Sequence, residues 1–442
     1  MITLFFDLQI AMGLTAVLFS GYSGAASEPS ISATRPAPAA ARIGVEEVER
    51  EWFEQLRRVD VDALKTYRPL LDPLDQLRRV LRVDGDKVRI RWDRVSRWRV
   101  LRPAPTVERA PTRDPVSIED AESQSLSGLR VVLDPGHRGG AWSRIERRHV
   151  VAGPGPAVRE GNLTWAVAVQ LAAMLRDAGA EVMVTRSAPP RRRFPRALFD
   201  GYDPKVEASQ WAPELLNGPA LRVLRPWSRS YWGRLAMPMM IGYLPTLRPF
   251  KLYNRYELRE RSRRAEAFKP HVTLSIHFNM AGDPTLNGII VFLLGNFSYG
   301  ELGTASQRYY ALRALLSGDL DRSRALAQTI GRAMQNEMQL GALSEPSDRP
   351  LGLARKLPVE PADGVFARNL AIVRRTPGVA LLLEGPCMNA VGEFERLQRK
   401  DVELPGGGFA PVRTTQYARA VFRALATHRD TLIRDDEVRA QR

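Results

Sequence analysis

The 442-residue chain has one cysteine, Cys387. A lone thiol closes no intramolecular disulfide and builds no multi-Cys metal site. Lysine is scarce too: seven of the 65 basic residues are Lys and the remainder are Arg. Histidine occurs five times, at 137, 149, 271, 277 and 428, so imidazole chemistry must use those positions. There is no glycine-rich phosphate loop ending in Lys and Ser/Thr, which argues against P-loop nucleotide chemistry. There is no Gly-x-Ser-x-Gly elbow either, so nothing supports a serine nucleophile. Beyond the amino terminus no apolar run is long enough to span a bilayer.

What is present is globular in balance, with 44% apolar and 26% charged residues. Those values exclude a wholly disordered chain, a collagen-like fibre and a multi-span membrane protein. The formal charge is +16, from 65 basic and 49 acidic residues. Such a balance favours anionic partners: nucleic acid, phosphate-rich membrane surfaces or acidic cell-wall polymers. An Arg-rich coding bias explains it equally well. The Arg residues are scattered rather than interleaved with aromatics in a reading motif, so nucleic acid is not expected.

Residues 1–26 read as a signal peptide or N-terminal anchor: an apolar stretch, densest from Leu8 to Ser20, then Ser23-Gly24-Ala25-Ala26. The usual basic start is missing, since the first Lys or Arg is Arg35. Export to the periplasm or cell envelope is the expectation, with no other membrane span. Residues 27–44, rich in Ser, Pro and Ala, read as a linker. Residues 45–102 read as a small α+β unit of unknown role. A helical pattern runs from Val45 through Val59, apolar residues recur from Leu70 to Val83, and Val88–Trp92 alternates like a strand after an Asp84-Gly85-Asp86 turn. Residues 103–126 read as a second linker.

From residue 127 to about 430 the pattern predicts an α/β domain, a mixed twisted sheet flanked by helices. Strands are expected at Arg130–Leu133, Glu181–Thr185, His271–Ile276, Gly288–Leu294, Ala371–Val373 and Val379–Leu383. Helices are expected from Leu163 to Ala178, Tyr256 to Phe268, Asp321 to Met338 and Thr414 to Thr427, with 431–442 as a tail. Residues 188–255, rich in Trp and Pro, read as a folded insertion. Residues 295–320 and 341–368 read as long connections.

Four polar segments fall at predicted strand ends or a helix start: Asp134-Pro135-Gly136-His137, Glu160-Gly161-Asn162, Ser275 to Asn279, and Glu384-Gly385-Pro386. Ligands gather beyond the carboxyl ends of strands in open α/β sheets. Two imidazoles and a carboxylate fill three positions of a tetrahedral zinc site and leave one for water. A further carboxylate that does not bind metal can move the water's proton to a leaving amine. Each residue also has a plain reading: a hydrogen-bonded structural His, or a helix-start carboxylate favoured by the macrodipole. Glu384 follows an apolar run and should be partly buried, where a carboxylate needs a partner or a task.

The pieces VVLDPGH at 131–137, REGNL at 159–163, VMVTR at 182–186, LRERSRRAEAFKPHVTLSIHFN at 258–279 and AIVRRTPGVALLLEGPCMN at 371–389 occur in this order. Together they resemble the zinc-dependent N-acetylmuramoyl-L-alanine amidases of the Amidase_3 family, from Leu129 to about His428. The resemblance implies that His137, Glu160 and His277 bind Zn2+ and that Glu384 is the catalytic carboxylate. It implies a peptidoglycan hydrolase that cuts the amide between N-acetylmuramic acid and L-alanine, and it leaves room for a regulatory protein partner. The alternative is a non-catalytic wall-binding or scaffold protein that keeps the fold. Three departures stand out: Gly161 where the family has Lys, Arg138 where Gly is common, and Pro386-Cys387 after Glu384-Gly385. Asn279 is expected at a local turn or near the metal. Arg186, Arg261 and Arg264 are expected as salt-bridge partners, and Cys387 as a small buried side chain.

Overall fold

The computed structural model describes residues 58–91, 97–103, 111–152, 155–186, 249–298, 301–303, 305–343 and 357–440. The expected signal or anchor, the first linker, the helical pattern from Val45 as far as residue 57, and the insertion up to residue 248 lie outside them.

The amino-terminal part builds a four-stranded sheet in the order β1-β4-β3-β2, from β1 (Arg58–Val59), β2 (Leu81–Asp84), β3 (Lys87–Ile90) and β4 (Arg99–Pro103). Helix α1 (Val61–Leu71) starts at Asp60, whose side chain accepts from the Ala63 amide and satisfies a free first-turn donor. Its Leu64, Tyr67 and Leu71 join Leu81, Val88, Ile90 and Leu101 in the core. Tyr67 also donates to Asp321, which ties α1 to the larger sheet's helices.

The second linker is a partial correction. From Pro111 onward it is pinned to the domain: the Val116 amide donates to Thr427, Thr329 donates to the Arg113 carbonyl, and helix α2 (Ile118–Ser123) buries Ala121. Ala121 and Leu126 are fully buried, and sequence polarity hid these two anchors.

The large sheet has seven strands in the order β11-β12-β10-β13-β9-β5-β8. In chain order they are β5 (Arg130–Pro135), β8 (Glu181–Val184), β9 (Val272–Asn279), β10 (Ile290–Leu293), β11 (Leu357–Glu360), β12 (Val365–Ala367) and β13 (Val379–Cys387). The small pair β6 (His149–Val150) and β7 (Val158–Arg159) lies between β5 and β8 in sequence. Helices α3 (Trp142–Glu146), α4 (Glu160–Asp177), α5 (Pro249–Phe268), α6 (Ala305–Leu316), α7 (Asp319–Met338), α8 (Ala371–Arg375), α9 (Glu393–Gln398) and α10 (Val412–Ala440) complete the described set, with the short pair β14 (Val402–Glu403) and β15 (Phe409–Ala410). The mixed sheet flanked by helices agrees with the sequence.

Strands β8, β5, β9 and β13 run parallel, and β10 is antiparallel to β13. The crossover β5–α4–β8 steps one way along the sheet and β8–α5–β9 steps back over β5. Right-handed crossovers therefore put α4 and α5 on opposite faces. Connections leaving the adjacent strands β5 and β9 diverge, which opens a crevice at their carboxyl ends.

Three expectations fail locally. Ala371–Val373 is the helix α8 rather than a strand; three apolar residues fit either period. The connections 295–320 and 341–368 contain α6, the edge strand β11 and its neighbour β12, each strand too short to show alternation. The expected tail is helical to Ala440, because no Gly or Pro interrupts it and Leu432 is buried. Among the described residues no helix is long and apolar enough to cross a membrane.

Candidate metal centre

His137 follows β5 with φ of 48°, a left-handed conformation uncommon for a side-chain-bearing residue. The preceding Gly136 makes room for the second imidazole. A Cβ on it would sit 2.3 Å from His277 Cε1. Its amide donates to the Ile276 carbonyl at 2.8 Å, and its carbonyl accepts from Thr164 at 2.7 Å. The Asp-Pro-Gly-His turn is thus clamped to β9 and α4.

Glu160 opens α4 and is buried. Its amide donates to the Arg148 carbonyl at 3.1 Å, which sets the helix start against the β6 hairpin. One carboxylate oxygen lies 2.9 Å from His277 Nδ1 and the other 3.4 Å from His137 Nε2. The two rings meet edge to face with centroids 5.1 Å apart. One ligand atom from each of His137, Glu160 and His277 falls within 4.8 Å of the others.

This donor set fits zinc. Two imidazole nitrogens and a carboxylate oxygen are its usual ligands, and a tetrahedron with arms of about 2.0–2.1 Å has edges of about 3.4 Å. Glu160 Oε2 is buried without a hydrogen-bond partner, an unmet demand that a cation would answer. Burial would raise the Glu160 carboxyl, but His137, His277 and Arg148 together hold it below the usual range. Burial would lower His277, and the Glu160 carboxylate overrides it and raises the ring.

Glu384 stands on β13 directly beside His277 on β9, with the flanking pairs Leu383–Ile276 and Gly385–Phe278 in register. Cross-strand partners project to the same face of a sheet, so the carboxylate and the imidazole share one side. Glu384 is partly open to the surface, yet burial of its carboxyl pushes it up to about 7, with His277 opposing and Glu160 reinforcing the shift. A carboxyl poised near neutrality suits proton transfer. The Tyr417 hydroxyl donates to the Leu383 carbonyl at 2.9 Å and fixes the strand just before Glu384.

Asp134 lies at the floor of the site rather than among the ligand atoms. It accepts from Thr185 at 2.5 Å, Ser275 at 2.9 Å and Arg261 at 3.3 Å, which joins β5, the end of β8, β9 and α5. Arg261 also pairs with Glu257, as expected of a salt-bridge partner, and Arg186 instead donates to the carbonyls of Arg138 and Gly161. Asn279 caps its own turn by accepting from the Met280 amide. Cys387 is buried, and desolvation pushes its thiol up to about 11. His271 accepts from the Arg130 amide, His149 meets the Ser143 carbonyl and His428 meets Thr329, so all three lie outside the cluster.

Sequence reasoning missed two supports. Glu146 accepts from the Arg138 amide at 3.1 Å and lies 3.8 Å from His137 Nδ1, on the ring edge away from Glu160. Arg138 pairs with buried Glu257 and lies over the rings of Trp142 and Tyr253, at 4.5 and 4.1 Å. Only the departure at position 138 hinted at this. A glycine there would leave Glu257 short of one partner.

Residues 246–404 match the Amidase_3 family, described as N-acetylmuramoyl-L-alanine amidase. The match spans 246–404 of the 442 residues. The matched stretch includes His277 and Glu384, and the β5–β9 register sets the strand that leads to His137 beside it in the same sheet. Solved structures similar to the chain include the amidase Ami1 from Mycobacterium smegmatis, 16% identical, covering 70% of this chain and 100% of that one at a TM-score of 0.38. Another is the amidase AmiC2 of Nostoc punctiforme, 14% identical, covering 68% and 97% at 0.35. A third is the CwlD amidase of Clostridioides difficile in complex with the GerS lipoprotein, 11% identical, covering 69% and 99% at 0.36. No curated protein matches the chain.

Proposed function

We propose that the chain hydrolyses peptidoglycan at the amide between the lactyl group of N-acetylmuramic acid and the L-alanine of the stem peptide. The carrying observation is the convergence of His137, Glu160 and His277 on one centre, with Glu384 on the neighbouring strand of an Amidase_3 domain.

In this reading His137, Glu160 and His277 hold the ion, and Glu146 steadies the far edge of the His137 ring. When bound, zinc supplies a Lewis acid for the amide carbonyl and makes water acidic enough to be deprotonated near neutral pH. Glu384 removes a proton from the attacking water and delivers it to the departing alanine nitrogen. Its burial supports both halves of that task, because a carboxyl near 7 exchanges protons in either direction at neutral pH. The buried Asp134–Arg261–Glu257–Arg138 chain holds the first strand end and the α5 helix together beneath the centre.

The reading places the protein in the periplasm or cell envelope, where the polymer is, and allows for a regulatory protein partner. The test is digestion of purified sacculi followed by labelling of new amino groups. Labelled alanine ends are expected from the wild-type protein and none from Glu384→Ala. New reducing sugar ends without alanine ends would overturn the assignment, and intact sacculi with tight retention would favour the non-catalytic wall binder.

A further inference from the structure

The amino-terminal sheet buries only one of its faces. Leu81, Val88, Ile90 and Leu101 point into the core. On the other face the register sets Arg82 opposite Arg89, and Arg89 opposite Val100. Arg82 is exposed, and Val100 is 61% exposed. Like charges directly opposite each other weaken strand pairing. Asp84 reaches Arg89 only at 3.9 Å and is itself 82% exposed, which offsets little.

Two guanidiniums here are also pre-oriented. Arg82 and Arg91 both lie over the ring of Trp98, at 4.5 and 4.6 Å, and Arg91 Nε donates to the Arg79 carbonyl. Stacking holds a guanidinium in a fixed plane, and for Arg82 it engages the face of the group. From Gln76 to Arg102 the sequence has ten Arg or Lys against three Asp. Of the acids on α1 and its flanks, Asp60 caps the helix, Asp72 accepts from the Leu77 amide and Asp75 pairs with Arg68.

We propose that this outer face binds the carboxylates of peptidoglycan stem peptides and tethers the enzyme to the polymer its catalytic centre cuts. The inference rests on the hydrolase reading above. Planar guanidinium forks match carboxylates two bonds at a time. A bilayer-binding face would need a broad apolar surface beside its charges. Here Val100 is the single large exposed apolar side chain among the described residues of the sheet, and Trp98 is half-buried under arginines. Retention on the polymer raises the local concentration of scissile bonds without altering the chemistry at the centre.

The test uses the full chain with Glu384→Gln, so that sacculi stay intact during co-sedimentation. Adding Arg82→Glu with Arg89→Glu should cut retention by about fivefold or more, and the milder Arg82→Gln with Arg89→Gln by about twofold. Retention should also fall between about 50 and about 300 mM salt, as exposed charge pairs are screened. Sacculi whose carboxyls have been converted to amides should retain little protein. With Glu384 intact, both arginine pairs should leave cleavage of a soluble muramoyl-peptide unchanged. Equal retention of all variants with matched thermal melts overturns the proposal. So does a loss confined to anionic phosphatidylglycerol vesicles. Retention is read without catalysis. A wild-type protein that binds sacculi through these arginines but cleaves nothing would refute the hydrolase reading and keep the carboxylate-binding face.

Discussion

The amide nitrogen of Gly139 lies 2.1 Å from where a Cβ on Gly161 would sit. The turn after the first imidazole is stacked on the first turn of α4, and Gly140 donates to the Asn162 side chain at 2.8 Å. This explains why a glycine follows Glu160: no side chain fits. Gly161→Ala should therefore force the 138–139 backbone away and cost about 1–3 kcal/mol in a denaturant melt. The same variant should bind zinc more weakly, because His137 hangs on that turn. Unchanged stability and metal affinity would refute the contact.

Metal content tests the centre itself. The purified wild-type protein is expected to bind one zinc, and His137→Ala or His277→Ala should lower affinity by at least about tenfold, since three ligands leave no spare. Chelation should abolish dye release from labelled sacculi, and added zinc should restore it.

Glu384→Gln separates proton transfer from metal binding. The amide keeps the shape of the side chain and removes its basicity. Zinc content should stay at the wild-type level while turnover falls by about 10²–10⁴-fold. Loss of zinc in this variant would instead make Glu384 a ligand.

His428 predicts an acid limb of stability away from the site. Burial, reinforced by Arg113 and Arg332, pulls its ring down to about 4. The unfolded chain binds this proton near pH 6.5, so between about 6.5 and 4 the unfolded state holds more protons. Stability is full above that window, falls as pH drops through it and levels off below. The contribution is about 3 kcal/mol, and His428→Gln should flatten that limb in chemical melts from pH 7 to 4.

Much of the candidate site was legible in the sequence because its carriers are local. Asp-Pro-Gly-His after an apolar run, and His and Asn at the end of another, mark strand ends whichever way the sheet is ordered. Glu384 showed as a carboxylate that closes an apolar run. The supports were not legible. Glu146 ends the short helix α3 in a basic stretch, and Glu257 reads as one charge among many on the highly charged α5. Their burial depends on neighbours far away in sequence. Short elements failed for a related reason: α8 and β12 have too few residues for a period to declare itself.

The residues alone determined which donors exist and where strands end, since backbone preference and hydrophobic period act over a few neighbouring positions. Only the tertiary structure decided that His137, Glu160 and His277 come together with Glu384 on the adjacent strand, and that Arg138 pairs with Glu257. Strand order and helix packing set those meetings, and they arise from burial summed over the whole domain, which no single segment encodes.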